Sequence, residues 1–237
     1  MTVLVTGSAG AIGKACVERF LSDGHEVVAH ARDAALWSGL RGVTPVSGDL
    51  LEDRCLERLA RAVDGAELRA VVAAHGIAGS ANVEDCHEDF VSRVLDVNFR
   101  TIPRLFRAVT PALERAGGAF IAVASQAALA GEAGNVAYCA AKFAVVGWVN
   151  AMAATATGVS LPALCPGATN SKLLVAAQQR FAAAAGVSPG QYYRDRAKQI
   201  SIGRYGEPEE IAGAAAYLAG GLPRPRVLAV TGGDVLY

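Results

Sequence analysis

Apolar residues follow two rhythms along this chain. Short apolar runs stand at Thr2–Val5, Glu26–Ala31, Val43–Ser47, Leu68–Ala74, Ala119–Ala124, Val159–Leu164 and Val227–Val230. Runs of that length, bounded by glycine, proline or polar residues, predict strands. Longer stretches with helical spacing lie between them. Lys14–Leu21 predicts an amphipathic helix closed by Asp23-Gly24, and Ala137–Thr155 and Pro208–Leu218 predict two more. Residues 90–114 predict a mostly helical stretch that Pro103 kinks or breaks. Asp49-Leu-Leu-Glu52 reads as a capping box for a helix after the third strand. Pro162 is an unusual residue for a central strand, and Leu222-Pro-Arg-Pro-Arg226 predicts an irregular loop.

Strand and helix taking turns predict an α/β fold: a doubly wound, Rossmann-type parallel sheet with helices on both faces. No repeat or low-complexity linker divides the chain, so residues 1–237 are read as a single domain. Apolar residues make up 52% of it, enough to cover both faces of a parallel sheet. The formal net charge is zero, which argues against nucleic acid or an anionic membrane as partner. No early segment reads as a signal peptide and no apolar run approaches a membrane span. The five cysteines have no C-x-x-C spacing, which predicts reduced thiols and a cytoplasmic location. The four histidines follow no metal-ligand pattern, so no metal site is expected.

Two segments carry candidate chemistry. The first is Thr6-Gly7-Ser8-Ala9-Gly10-Ala11-Ile12-Gly13, between a strand and a helix. Glycines there let a pyrophosphate approach the backbone, and the helix start offers free N–H groups. The second is Tyr138-Cys-Ala-Ala-Lys142, whose tyrosine and lysine share one helix face. A nearby ammonium favours the phenolate and is expected to lower the tyrosine pKa, giving a general acid/base. Ser125 lies thirteen positions upstream, at the end of an apolar run, and Asn98 stands in Asp96-Val97-Asn98-Phe99.

Asn98, Ser125, Tyr138 and Lys142 together resemble the catalytic set of the short-chain dehydrogenase/reductase family. The resemblance runs from about residue 2 to the end and includes Gly203-Arg-Tyr-Gly-Glu-Pro-Glu-Glu-Ile211. Three places depart from the family pattern. Gly10 stands one place early, with Ala11 where the middle glycine is usual. Ala73-Ala74-His75-Gly76 keeps only the glycine of the usual Asn-Asn-Ala-Gly, and His75 is read as a satisfied core histidine. Thr231-Gly232-Gly233 replaces Asp-Gly-Gly after a shortened loop.

The resemblance implies an oxidoreductase that interconverts a ketone or aldehyde and an alcohol. Tyr138 would move the proton, Ser125 orient the carbonyl, and Lys142 tune Tyr138 and hold the ribose. Asn98 would hold a water that passes protons to Lys142. It further implies a cofactor held by Gly7, Ser8, Gly10, Ala11, Ile12 and Gly13, by Asp49 and Leu50, by Ala74 and Gly76, by Tyr138 and Lys142, and by Pro166, Gly167, Thr169 and Ser171. In the family frame Arg32 takes the position that suits the 2′-phosphate of NADP. Asp33, the competing ribose ligand of an NAD enzyme, is read as a cap for residues 34–37. NADP is therefore expected over NAD.

Residues 172–202 would form a lid, with Leu173, Leu174, Phe181, Tyr192 and Tyr193 facing a small-molecule carbonyl or alcohol substrate; an ordinary surface helix pair is the alternative. A 3-oxoacyl-thioester reductase and a non-catalytic nucleotide-binding sensor are the competing functions. Apolar excess on the helices carrying Asn98 and Tyr138 predicts a homotetramer, or a homodimer, unless those residues fill the chain's own core.

Overall fold

The computed structural model describes residues 1–79, 86–155, 158–220 and 225–235. Among these residues seven parallel strands form one sheet: β1 (Thr2–Thr6), β2 (Glu26–Ala31), β3 (Val43–Ser47), β4 (Leu68–Ala73), β5 (Ala119–Val123), β6 (Ala163–Pro166) and β7 (Val227–Val230). Their order is β3-β2-β1-β4-β5-β6-β7, so the winding reverses between β1 and β4. The helices are α1 (Ala11–Ser22), α2 (Asp53–Val63), α3 (Glu88–Leu95), α4 (Thr101–Ala116), α5 (Val136–Met152), α6 (Lys172–Ala184), α7 (Pro189–Gln199) and α8 (Pro208–Ala219).

Period-two alternation within each strand sorts its side chains onto two faces. Leu4, Val28, Val71, Phe120 and Ala122 point to the face covered by α2, α4 and α5. Val3, Val5, Val27, Ala29, Ile121 and Val123 point to the face covered by α1 and α8. Phe106, Phe120 and Trp148 meet edge-on in the first layer, with ring centroids 5.2–6.2 Å apart.

Three local expectations shift. The sixth strand begins at Ala163, after Pro162, which contributes only its carbonyl, to Ala122 N–H at 3.0 Å. A proline has no N–H to give a central ladder, so regular pairing starts beyond it. The Asp49 carboxylate accepts from Leu51 N–H at 2.9 Å in a tight turn, so α2 starts only at Asp53 and no capping box forms at Asp49–Glu52. The long helical stretch at 90–114 breaks upstream of Pro103, in a wide π turn at Asp96–Arg100. The Thr101 N–H there reaches back five residues to the Asp96 carbonyl. Of the irregular loop expected at 222–226, residues 222–224 lie outside the described residues.

Candidate active site

The C-terminal ends of the strands open onto one cleft of about 880 Å³ at the point where the winding reverses. β1 leaves the sheet at Thr6 and turns at Gly7, whose φ of +69° suits glycine. A side chain at Gly7 would start 2.7 Å from the His75 backbone, and one at Gly13 would start 2.2 Å from the Gly7 carbonyl oxygen. The turn is therefore packed too closely for any other residue at those two places. Gly10 precedes α1 and contributes no side-chain cap, so the first N–H groups of the helix face the cleft with the positive end of its dipole. Gly7, Gly10, Ala11, Ile12 and Gly13 line this end, an arrangement that fits a pyrophosphate.

Ser8 is the exception among the expected cofactor residues. It is fully buried, and its hydroxyl accepts from the Trp37 indole N–H at 3.0 Å. It anchors the turn to the segment after β2 and does not line the cleft.

Arg32 is exposed and lines the cleft just beyond β2. Asp33 does not line it: its carboxylate accepts from Ala35 N–H at 2.9 Å, the local capping that its sequence position predicts. Asp49 and Leu50 border the same region, together with His30, which the sequence did not single out. His30 is buried, bonds the Gly48 carbonyl at 3.1 Å through Nε2, and has its pKa lowered by desolvation.

At the end of β4, Ala74, His75 and Gly76 all line the cleft, with most of His75 buried behind its wall. The Thr101 hydroxyl donates to the Val97 carbonyl at 2.8 Å, so its oxygen accepts from His75 Nε2–H, also at 2.8 Å. His75 Nδ1 is then the acceptor for the Thr6 hydroxyl at 2.7 Å. This chain of bonds fixes one neutral tautomer and ties β1, β4 and α4 together. Burial pushes the His75 pKa down to about 3.

The π turn places Asn98 against the exit of β4. Its amide oxygen accepts from Ile77 N–H at 3.0 Å, and its nitrogen donates to the carbonyls of Ile77 at 3.1 Å and Val94 at 3.0 Å. The side chain is thus committed to holding backbone. Ser125 closes β5, and its oxygen accepts from Ala127 N–H at 3.2 Å. Its hydroxyl also hydrogen-bonds the phenol of Tyr138 in the first turn of α5. Lys142, one turn later, is buried; its Nζ donates to the Val123 carbonyl at 2.8 Å and lies 5.6 Å from the centre of the Tyr138 ring.

Electrostatics here run against the expected lowering at Tyr138. Burial pushes its phenol up to about 12, outweighing the opposing hydrogen bond from Ser125. Burial also pulls the Lys142 ammonium down to about 8. Desolvation disfavours charge on both, on half-buried Tyr138 in the cleft wall and on buried Lys142, whose ammonium gives one of its N–H groups to Val123. Tyr138 is thereby a neutral proton donor near pH 7.

The chain matches the short chain dehydrogenase family model over residues 1–181. It belongs to the short-chain dehydrogenase/reductase family. It is 29% identical over 232 residues to galactitol 2-dehydrogenase of Agrobacterium fabrum, covering 91% of this chain and 89% of that protein. It is 30% identical over 256 aligned positions to 3beta-hydroxysteroid dehydrogenase 2 of Eggerthella lenta, covering 100% and 95%. Among solved structures, a single-substitution variant of actinorhodin polyketide ketoreductase with NADPH superposes with a TM-score of 0.91 at 25% identity, covering 100% of this chain and 97% of that one.

In this short-chain dehydrogenase/reductase the far end of the cleft is walled by the segment after β6 and by α6 and α7. Pro166, Gly167, Thr169 and Ser171 line it. A side chain at Gly167 would start 2.7 Å from Thr231 Cα, so β6 and the C-terminal turn touch there. The Ser171 oxygen caps α6 by accepting from Leu174 N–H at 3.1 Å, and its hydroxyl proton can still be donated. Of the expected apolar lining, Leu173, Leu174, Phe181 and Tyr192 face the cleft. Tyr193 does not: it stacks on Tyr205 at 4.4 Å. An ion pair of Arg196 with Asp234 fastens α7 to the C-terminal segment.

The sequence reading missed Gln126, Glu132 and Asn135, which line the cleft beside Tyr138. A signal was present, because they are the polar residues of an otherwise alanine- and glycine-rich stretch between Ser125 and Tyr138.

Proposed function

We propose that this chain is an NADP(H)-dependent oxidoreductase that interconverts a ketone or aldehyde and an alcohol, with Tyr138 as general acid/base. The observation that carries the reading is the convergence of Ser125, Tyr138 and Lys142 in the same cleft as the glycine turn. That convergence favours turnover over a nucleotide sensor, which has no use for a phenol in the cleft wall beside a buried ammonium.

When bound, the nicotinamide cofactor supplies or accepts a hydride. The turn from Gly7 to Gly13 would hold its pyrophosphate, Asp49, Leu50, Ala74 and Gly76 its adenosine side, and the segment from Pro166 to Ser171 its nicotinamide side. Lys142 would hold a ribose. Ser125 orients the substrate oxygen by a hydrogen bond, and Tyr138, a neutral phenol at pH 7, donates its proton to that oxygen in the reducing direction. Lys142 supports the phenolate left behind through its nearby positive charge. Asn98 keeps the end of β4 in place, and any water it holds would be bound through its backbone. Arg32 supports NADP, since its guanidinium stands in solvent at the cleft edge while Asp33 is occupied elsewhere.

Among the described residues no helix is long and apolar enough to cross a membrane, and no cluster of histidine, cysteine or acidic side chains could hold a metal. The five free cysteines are consistent with a reducing, cytoplasmic setting.

Tyr138→Phe tests the mechanism. It removes the proton donor and almost no volume, so turnover is expected to vanish while cofactor binding, followed by nicotinamide fluorescence, persists. Wild-type turnover in that variant would overturn the reading.

A further inference from the structure

Between Ser125 and Tyr138 the cleft wall carries a carboxylate that the proton-transfer scheme does not use. Glu132 lines the cleft, and two amide side chains hold it. Gln126 Nε2 donates to Oε1 at 3.1 Å, and Asn135 Nδ2 donates to Oε2 at 2.9 Å. Both amides are buried, each 7% exposed. The carboxylate is thus fixed in direction before anything binds, and each oxygen retains a lone pair.

This arrangement carries two costs. With its nitrogen committed to Glu132, Gln126 must turn its oxygen the other way, and that buried oxygen has no partner among the described residues. An orphaned buried acceptor is destabilising. The negative charge of Glu132 also raises the Tyr138 pKa, which hinders the phenolate. A chain that needed only a wall here could avoid both with an apolar residue. An unsatisfied polar group kept beside a cleft needs a reason, and a bound ligand supplies one.

We infer that Glu132, aimed by Gln126 and Asn135, accepts a hydrogen bond from a hydroxyl on the carbon next to the reacting one, so that the substrates are vicinal diols and α-hydroxy carbonyl compounds. The inference rests on the reading that Tyr138 marks the reacting oxygen. An acceptor-only group selects a donor, and a carboxylate repels anionic substrates. A substrate ammonium would add a second cation beside buried Lys142, whereas a hydroxyl adds none. A 3-oxoacyl thioester has only CH2 groups next to its keto carbon and offers no such donor. It would leave Glu132 desolvated and unmatched.

The test compares wild type and Glu132→Leu on two matched pairs, 2,3-butanediol against 2-butanol and 1,2-cyclohexanediol against cyclohexanol, with each nicotinamide cofactor. Wild type is expected to favour the diol of at least one pair by about 100-fold in kcat/KM, the range of a hydrogen bond to a charged group. Glu132→Leu is expected to bring that ratio close to one. Equal rates on diol and mono-alcohol in wild type would overturn this inference and leave the oxidoreductase reading standing. So would a diol preference that survives Glu132→Leu. Should that variant fail to fold, Glu132→Gln, which keeps the shape and removes the charge, is expected to shrink the ratio about tenfold, and an unchanged ratio would overturn the inference. Absence of turnover on all four compounds in both directions, with the matching ketones and α-hydroxy ketones included, would overturn the inference together with the reading beneath it.

Discussion

Arg32 and His75 show how one side chain's surroundings decide what it does. Arg32 is solvated, at the cleft edge that the 2′-phosphate of NADP would meet. Arg32→Ala is therefore expected to weaken NADPH by about 10- to 100-fold, for a charge-assisted contact of about 1.5–3 kcal/mol, and to change NADH little. Fluorescence titration of both cofactors checks this; equal losses would remove Arg32 as the phosphate reader.

His75 is the opposite case, sealed between Thr6 and Thr101. Its pKa is about 3 in the fold and near 6.5 when unfolded, so between those values the unfolded chain binds the extra proton. Stability is complete above pH 6.5 and falls as pH drops toward 3, by up to about 1.4 kcal/mol per pH unit from this group. Buried His30 shifts in the same direction and adds to the slope. Urea unfolding across that range should show the loss, and His75→Asn should reduce it.

At the scale of elements, the break between α3 and α4 matters most. Asn98 is buried, and its three hydrogen bonds hold the backbone at Ile77, in the segment that follows β4, and at Val94. Asn98→Ala strips partners from buried backbone groups and is expected to cost about 1–3 kcal/mol in chemical denaturation. Activity should fall with it, because Gly76 and its neighbours line the cleft. Unchanged stability would show that these bonds are replaced by water.

Much of the element layout is legible in the sequence. The runs for β2, β3 and β7 match the strands residue for residue, since glycine, proline or charged residues punctuate each at both ends. The start of β6 is not, because Val159 and Leu161 are buried like strand residues although Pro162 bars regular pairing. The π turn is hidden because Pro103 is visible in a sequence while the register of a helical hydrogen bond is not. At the site, Ser125, Tyr138 and Lys142 can be found from spacing, as can any group whose chemistry sits on one helix and one strand end. Burial cannot, and it is burial that reverses the expected shift of Tyr138. Ser8 fails for a related reason: in sequence it is one more residue of the glycine turn, and only packing reveals its tie to Trp37.

For the whole molecule, the question is what covers α5. Most of the apolar excess that suggests a second buried face is spent internally. Ile102, Leu105, Phe106 and Val109 of α4, and Ala141, Val145 and Val149 of α5, all pack within the chain. A narrower stripe remains on α5, where Val136 and Phe143 are 48% and 46% exposed and Ala140, Gly147 and Ala151 continue the line. Small residues flanking one aromatic suit a close two-fold helix pair, so a homodimer or homotetramer built on this stripe is expected. Light scattering at micromolar concentration should report that assembly, and Phe143→Glu should reduce its mass. A wild-type monomer that turns over substrate would refute it.

Seven strands running the same way give the sheet two unlike rims. Chemistry gathers on the rim where the strands end, and the glycines there are walled in by neighbouring backbone. On the other rim the chain merely returns. Gly24 and Gly117 turn it back toward β2 and β5 with positive φ, and nothing lies within 4 Å of where a side chain would begin. A residue that tolerates left-handed backbone, such as asparagine, can replace them without touching the cleft. Evolutionary drift, a graft or a reporter label is best accommodated on that rim, and a surface that immobilises the protein there leaves the cleft facing solution.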